Sequence, residues 1–516
     1  MVRQVTPLPP IVLRAGRPSP LREAAAPFGP VGTGVLLAAV TVLVAGVTFA
    51  GPVAGPAGVL LVALGGAVAA LVFGSPTAAI LILLFASFLR LAVPVHGLPA
   101  EPMVLVLAGL VVSTVLAGLR GKLRLHFGAL EMAMVAYLLW NIVSAVLPHD
   151  YPPVEPSSGA PIVVYRFILT GTVLPFVAYV VGRSALRSER AVRPVLITVV
   201  ALAGWSALLS IMQFTGPNAL VWPRYIVDAP NWSDRAVGIF NQPVVNGLVM
   251  VAGFVTATFM AQDRALARWP RITCALVAVL CVLGIYLTRT RAVWLVFGVG
   301  VLVCAVFARG ARTGFVVTLT AASLFVGVNW STFTSSDRAA GGVGSANEVE
   351  DRLNTIATSV WAIEQKPLTG WGIARFEEVN TYHHQQWDPT VSYERGYSIP
   401  SHENELGIAA ELGLPGLAVW LTVLGLMLWQ LFVALRKLPV RGLGGRPFGL
   451  LALTVLGVWV VCGFTVDLRY FDFANLLVFL LVGAAVGLAN AQPPPAREPS
   501  RRPGLPRPRQ LAGVSS

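Results

Sequence analysis

Two groups of side chains in this 516-residue chain have types and spacings that could do chemistry. In Leu287-Thr288-Arg289-Thr290-Arg291-Ala292-Val293-Trp294, two arginines stand in a very short connection between two apolar runs. Arg235 opens a further run in Asp234-Arg235-Ala236-Val237-Gly238-Ile239-Phe240-Asn241-Gln242-Pro243, and Arg166 and Arg469 lie near the same level. A guanidinium stays charged at any relevant pH and grips phosphate oxygens two at a time. Arginines gathered at one level therefore suit an anionic head group such as a diphosphate. A lone arginine at a span end also snorkels to ordinary lipid phosphate, so Arg166 and Arg469 stay open between the two roles.

The second group is Ser401-His402-Glu403-Asn404-Glu405-Leu406-Gly407, where a polar stretch enters an apolar run. An imidazole beside two carboxylates at a lipid boundary has the character of a general base; the alternative is a hydrogen-bonded boundary histidine. His-Glu also begins the zinc-protease signature, but the second histidine of that signature would fall at Leu406. His383 and His384 are adjacent, a poor placement for one ion. Cys274, Cys281, Cys304 and Cys462 all lie inside apolar runs, which suggests neither a disulfide framework nor a zinc site. No metal site and no cofactor are expected.

Whatever positions these groups must live in lipid. Only 12% of residues are charged, 56% are hydrophobic and the mean hydropathy is +0.73, whereas soluble domains carry about 25% charged residues. A hydrocarbon core of about 30 Å takes roughly 20 helical residues. Fourteen runs meet that need: 33–50, 56–73, 76–93, 102–119, 128–147, 160–182, 194–214, 240–261, 272–288, 290–308, 313–330, 405–435, 448–466 and 471–490. Lys and Arg are retained on the cytoplasmic side of a membrane. With the N-terminus inside, alternate connections hold Arg120/Lys122/Arg124, Arg183/Arg187/Arg190/Arg193, Arg264/Arg268/Arg271, Arg309/Arg312 and Arg436/Lys437/Arg441/Arg446, and both tails are basic. The net charge of +13 is then an orientation signal, and nucleic acid is not needed to explain it.

The expected organisation is a disordered cytoplasmic tail without an export leader at 1–30, about eleven transmembrane helices over 31–330, a large extracytoplasmic loop at 331–404, about three more helices over 405–490, and a disordered, basic, Pro-rich cytoplasmic tail at 491–516. The loop is far longer than usual connections and has the pattern of a folded unit. Leu353, Ile356, Ala357, Val360 and Ile363 recur at helical spacing up to Pro367, followed by Trp371, Phe376, Tyr382, Trp387, Tyr393 and Tyr397.

Taken together, these segments resemble the O-antigen ligase and O-antigen polymerase superfamily over roughly residues 130 to 490. The resemblance rests on Thr290-Arg291 opening a span, on Arg235-x-x-Gly238-x-Phe240, and on the loop pattern Arg352…Trp361…Pro367-Leu368-x-Gly370-x-Gly372-x-x-x-Phe376. His402…Leu406…Glu411-x-Gly413-x-x-Gly416 follows it. The resemblance implies an all-α polytopic membrane protein of about 12–14 transmembrane helices, GT-C-like, with one large extracytoplasmic loop. It implies an enzyme that moves a glycan from a polyprenyl-diphosphate carrier to an acceptor hydroxyl on the outer face of the plasma membrane, with inversion and without a metal. Carried over by position, Arg291 and Arg235 are implied diphosphate contacts and His402 the implied base. Arg289, Arg166, Glu403, Asn404, Trp371 and Arg469 are candidate substrate-binding residues. The chain departs from the family pattern in Glu403, which stands where many members have Asn, and in Asn241-Gln242-Pro243, which replaces a commoner Asn-Pro-Asn.

The chemistry agrees with that implication. No nucleotide sugar is expected outside the membrane, so an outer-face transferase needs a lipid-linked donor. Arginines can stabilise the departing diphosphate, and indole and phenol rings can stack on sugars. The expected partners are the lipid-linked donor, a glycan, lipid or cell-wall acceptor, and the bilayer, with no nucleic acid. The other class compatible with many spans and arginines is a transporter or flippase of a polysaccharide precursor or small anion, which would line a path with ionisable residues near mid-membrane.

Overall fold

An apolar run in hydrocarbon has no water to satisfy its backbone, so each run closes its own hydrogen bonds as a helix. The computed structural model describes residues 65, 68, 69, 72–93, 101–154, 163–230, 232–335, 347–391 and 399–492, and among these there are helices and no strand. In chain order the long helices are α1 (Pro76–Phe88), α2 (Pro102–Leu119), α3 (Ala129–Val146), α4 (Val164–Ala185), α5 (Glu189–Thr215), α6 (Pro243–Gln262), α7 (Arg268–Leu287), α8 (Arg291–Phe307) and α9 (Arg312–Val328). Then come α10 (Asn347–Gln365) and α11 (Phe376–His383) in the large loop, followed by α12 (Asn404–Lys437), α13 (Arg446–Gly463) and α14 (Asp472–Asn490).

Among the described residues nine of these helices are long and apolar enough to cross a membrane, and α1, α8 and α9 are shorter apolar helices. The chain is an all-α polytopic membrane protein. The expected runs at 33–50 and, for most of its length, 56–73 lie outside the described residues, as do the tails at 1–30 and 493–516 and the side chains of Tyr393 and Tyr397. The helical spacing from Leu353 to Ile363 is realised in α10, which stops before Pro367 because proline lacks the N–H a further turn needs.

Two helices are enclosed by the rest. All of the apolar stretch of α14 is buried, and 94% of that of α6. Without water to drive helices together, close packing does that work, and small residues permit it. Gly483 and Gly487, four apart on α14, face α4 so closely that a Cβ at Gly483 would stand 2.2 Å from the Tyr179 carbonyl oxygen, and one at Gly487 2.6 Å from that of Arg183. α4 itself carries one π-helical turn, Leu169–Val173, a feature frequent at functional sites.

Successive helices run in opposite senses, so the start of α6, α8, α12 and α14 and the end of α5, α7 and α13 share one end of the bundle. Every candidate site residue is at that end. The basic connections occupy the other end, where Arg183 is ion-paired with the buried Glu131 of α3.

Candidate active site

The Arg235 segment is held against the turn that carries Arg289 and Arg291. After α7 the chain reverses over Thr288-Arg289-Thr290, with the buried Thr288 hydroxyl donating to the Ile285 carbonyl (2.7 Å) and the Thr290 hydroxyl to that of Thr288 (2.9 Å). Arg289 is at the apex with φ +47, a left-handed conformation costly for a side chain of this size. Its Nη1 donates to the Asp234 carbonyl at 3.0 Å, and its guanidinium carbon lies 5.2 Å from the Phe214 ring centroid. Arg291 is the first residue of α8 and is exposed.

The segment around Arg235 is clamped from four sides. Gln213 Nε2 donates to the Arg235 carbonyl (2.8 Å), Ala236 N–H donates to the Leu287 carbonyl (2.9 Å), Asn246 Nδ2 donates to the Ala236 carbonyl (3.0 Å), and Arg289 holds Asp234. Asn246 is wholly buried in α6 and also bonds Ser206 and Ser210 of α5. Arg235 itself is 5% exposed. Sequence reading missed Gln213 and Asn246 as positioning residues; the signal was there, since polar side chains inside apolar spans must have partners.

His402 belongs to a second assembly at the same end. Ser401 Oγ donates to the Glu403 carbonyl (2.5 Å) and accepts from the Glu403 N–H (3.3 Å), so the chain loops back on itself. His402 is the apex of that loop, half-buried with φ +55. Below it runs α12, in which Glu403 is the N-cap and Asn404, 1% exposed, the first residue. A Cβ on Gly407 would lie 2.6 Å from Ser401 Oγ and 3.0 Å from Arg469 Nη2, so the histidine loop and Arg469 both pack against Gly407. Arg469 is buried with two carboxylates: Nη1 bonds Glu411 Oε2 at 2.6 Å and Nη2 bonds Asp467 Oδ2 at 2.5 Å. Among the described residues no group of three or more His, Cys, Asp and Glu is placed to hold a metal ion.

The loop motif is the mating surface for this assembly. α12 bends at Gly413, φ +70, and the freed backbone is taken up by the loop. Leu414 N–H donates to the Pro367 carbonyl (2.7 Å), Trp371 N–H to that of Ala410 (2.9 Å) and Gly372 N–H to that of Glu411 (2.9 Å). The remaining oxygen of Glu411, Oε1, accepts from the Phe376 N–H at 3.1 Å. Gly370, φ +65, packs so tightly that a Cβ would lie 2.3 Å from the Glu411 carbonyl oxygen. Gly370→Ala therefore forces both a left-handed alanine, worth about 1–3 kcal/mol of strain, and a backbone clash. The expected result is a lower unfolding temperature in detergent, with the loop released to protease before the helices; unchanged protection of the loop would contradict this docking.

The two assemblies are linked through aromatic rings and short turns. Phe240 stacks on Phe473 of α14 (5.5 Å, 26°) and meets Phe88 edge-on (5.3 Å). Asn475 of α14 donates to the Leu468 carbonyl at 2.8 Å, and Leu468 and Asn404 both lie against Gly463 at the end of α13. Arg166 is elsewhere on this rim, in a chain of ion pairs: Arg166 with Glu101 (2.5 Å), Glu101 with Arg90 (3.6 Å) and Arg90 with Asp472 (3.4 Å). Trp371 is inside the loop, 8% exposed, with its indole N–H spent on the Ala362 carbonyl.

Burial, followed by the neighbouring Glu405 carboxylate, holds the Glu403 carboxyl above its usual range, with Arg352 pulling the other way. A folded value above the unfolded one, about 4.3, means the native state favours the proton. The stability this group contributes is present at acid pH and is lost as pH rises through the folded value. Glu403→Gln, uncharged and of the same shape, is thus expected to unfold at a higher temperature than the parent at neutral pH, the gap narrowing toward about pH 4. A gap that widens on acidification would contradict the sign.

Comparison with curated proteins gives no match. Residues 276–421 match the family model described as O-antigen ligase, a stretch that contains the Thr290-Arg291 turn, α10, α11 and the His402 loop, and leaves Arg235, Arg166 and Arg469 outside it. Over residues 276–421 the chain is thus similar to the O-antigen ligase family, consistent with the O-antigen ligase and polymerase superfamily.

Proposed function

We propose that the protein transfers a glycan from a polyprenyl-diphosphate carrier to an acceptor hydroxyl at the outer face of the plasma membrane, as a ligase or polymerase, with inversion and without a metal. The observation that carries this reading is the match itself: the one matched stretch contains both Arg291 and His402, each at the start of a helix at the same end of the bundle. In the reaction, His402 takes the proton from the acceptor hydroxyl as its oxygen attacks the anomeric carbon. The bond from that carbon to the diphosphate breaks on the opposite face, leaving its electron pair on the diphosphate oxygen. Arg291 and Arg235 stabilise the charge gathering there, and such preorganised donors act most strongly where water is excluded. Arg289 holds the Arg235 segment, Arg166 offers a further phosphate contact at the rim, and Glu403 and Asn404 face the acceptor. Arg469 and Trp371 act by fixing the His402 loop and the docked loop.

The test is purified protein with a carrier-linked glycan, measuring released polyprenyl diphosphate with and without chelator. Release that survives chelation is expected. Loss restored by one divalent ion would replace the metal-free mechanism, and movement of the intact donor across vesicles with no release would replace the transferase by a flippase.

Sidedness is checked separately. In a background lacking the four native cysteines, Gln386→Cys in the exposed part of the loop should react with an impermeant thiol reagent from outside. Arg190→Cys and Arg441→Cys, exposed at the opposite end, should not. Labelling of all three from one side would refute the orientation.

A further inference from the structure

The docked loop contains a ladder of aromatic rings that the transfer reaction does not use. Its inner rings are Trp361, Trp371 and His383: Trp361 stacks on Trp371 (5.6 Å, 26°) and on His383 (4.9 Å, 25°). Tyr151, from the segment after α3, stacks next on Trp371 (6.2 Å, 26°), and its hydroxyl is 2.6 Å from His383 Nε2. Tyr382 of α11 lies on Tyr151 almost parallel, at 5.2 Å and 6°. Trp371 is closed off, with rings stacked against it and Lys366 Nζ 4.2 Å from its centroid. Tyr382 is different: one face is backed by Tyr151 and the residue is 63% exposed. Asp150, the residue before Tyr151, is 62% exposed at the side chain and bonds Lys366 Nζ at 2.5 Å.

We infer that Tyr382, with the exposed Asp150–Lys366 pair at the neighbouring rings of the same stack, is a sugar-binding platform that holds a distal residue of the glycan chain while the reacting end is at His402. Four observations point there. The exposed ring is rigid, because a stack of four further rings and the Tyr151 to His383 hydrogen bond support it, so little order must be bought on binding. An exposed aromatic face on a stack that also carries a carboxylate and an ammonium is the chemistry that takes a sugar, whose C–H face is apolar and whose hydroxyls need donors and acceptors. The inner end of the ladder is pinned to Ala410 and Glu411 of α12 through the Trp371 and Gly372 N–H groups, so the platform is held in register with the His402 loop. It also lies on α11, a polar helix whose first turn carries Glu377 and Glu378.

This inference rests on the transferase reading for its biological meaning, but its test does not. The probe is a set of size-fractionated oligosaccharides cut from the source cell's own surface polysaccharide, titrated into the purified full chain while tryptophan fluorescence is followed. Saturable binding that tightens with chain length is expected. Tyr382→Ala should weaken binding of the longer oligosaccharides about tenfold, and Tyr382→Phe should retain it because the ring face is kept. Asp150→Asn should weaken it less than Tyr382→Ala. With carrier-linked donors, Tyr382→Ala should raise KM for long glycans and leave kcat for the shortest one unchanged. The parent chain failing to bind any oligosaccharide, or binding them as tightly with Tyr382→Ala, overturns the platform. So does unchanged saccharide binding together with altered quenching by brominated phospholipid, which would make Tyr382 a membrane anchor. Oligosaccharide binding without any carrier release would instead sink the transferase and leave the platform standing.

Discussion

His402→Ala is expected to lower turnover by roughly 100-fold or more, the scale of a positioned general base, while binding of the lipid-linked donor persists. The substitution is mild structurally. His402 is only half-buried, and alanine keeps the same Cβ at φ +55, so the variant should unfold near the parent's temperature, and a loss of activity at parent-like stability is then a loss of chemistry. The arginines should fail differently. Arg291→Ala and Arg235→Ala remove charge-assisted bonds to a diphosphate that gains charge as it leaves, so donor affinity and turnover fall together. Arg291→Lys should rescue incompletely, since a point charge cannot reproduce a planar fork. Arg289 is the internal control. Its guanidinium is engaged with the Asp234 carbonyl and the Phe214 ring, so Arg289→Ala should cost less in chemistry and show mainly as a looser Arg235 segment. Full activity in His402→Ala would refute the base assignment. Equal losses at Arg289 and Arg291 would mean the turn supplies positive potential without a specific contact.

Arg469→Met is expected to be the most damaging substitution for the fold. Glu411 and Asp467 are 1% and 2% exposed, and without the guanidinium both carboxylates are left in a medium that solvates charge poorly. Breaking one buried pair costs about 3–5 kcal/mol, and here two pairs break at once. The loss reaches further than the pair, because Glu411 also holds Phe376 of the docked loop and Arg469 packs with Ser401 against Gly407. The single variant should accumulate poorly or unfold well below the parent. Converting all three groups together, Arg469→Met with Glu411→Gln and Asp467→Asn, should recover most of the stability, because buried ion sets exchange for neutral groups at little net cost. Parent-like unfolding of Arg469→Met alone would show that the carboxylates have found another counter-ion.

Much of the frame was readable in the residues, for a reason specific to membranes. Hydrocarbon permits essentially one local solution for an apolar run, a helix with its own hydrogen bonds, so twelve of the expected spans coincide with α1–α9 and α12–α14 to within a few residues at most ends. The motif segments were legible too. Thr290-Arg291, Gly370-x-Gly372, His402 and Glu411-x-Gly413 stand out against the apolar background, and all three glycines take positive φ, which glycine enters most cheaply. Composition and local pattern therefore determined the all-helical class, the spans and the segments that approach the site.

Pairing was decided only by tertiary structure. Arg469 reads as one more rim arginine until Glu411, 58 residues earlier, closes on it. Arg166 reads the same way until Glu101 and Arg90 form its ion-pair chain. Trp371 has the right type to stack on a sugar, yet it is covered by Tyr151, Trp361 and Lys366, and Tyr382 is the exposed ring of that stack. Asn246 and Gln213 are marked in the sequence only as polar side chains inside apolar spans; what they hold is decided by α5 and α6 packing beside the Arg235 segment. Whether a charged or aromatic side chain is available to a ligand depends on which distant groups have already satisfied it. That is settled by close packing in three dimensions, whereas the helices themselves are settled by the solvent each run must live in.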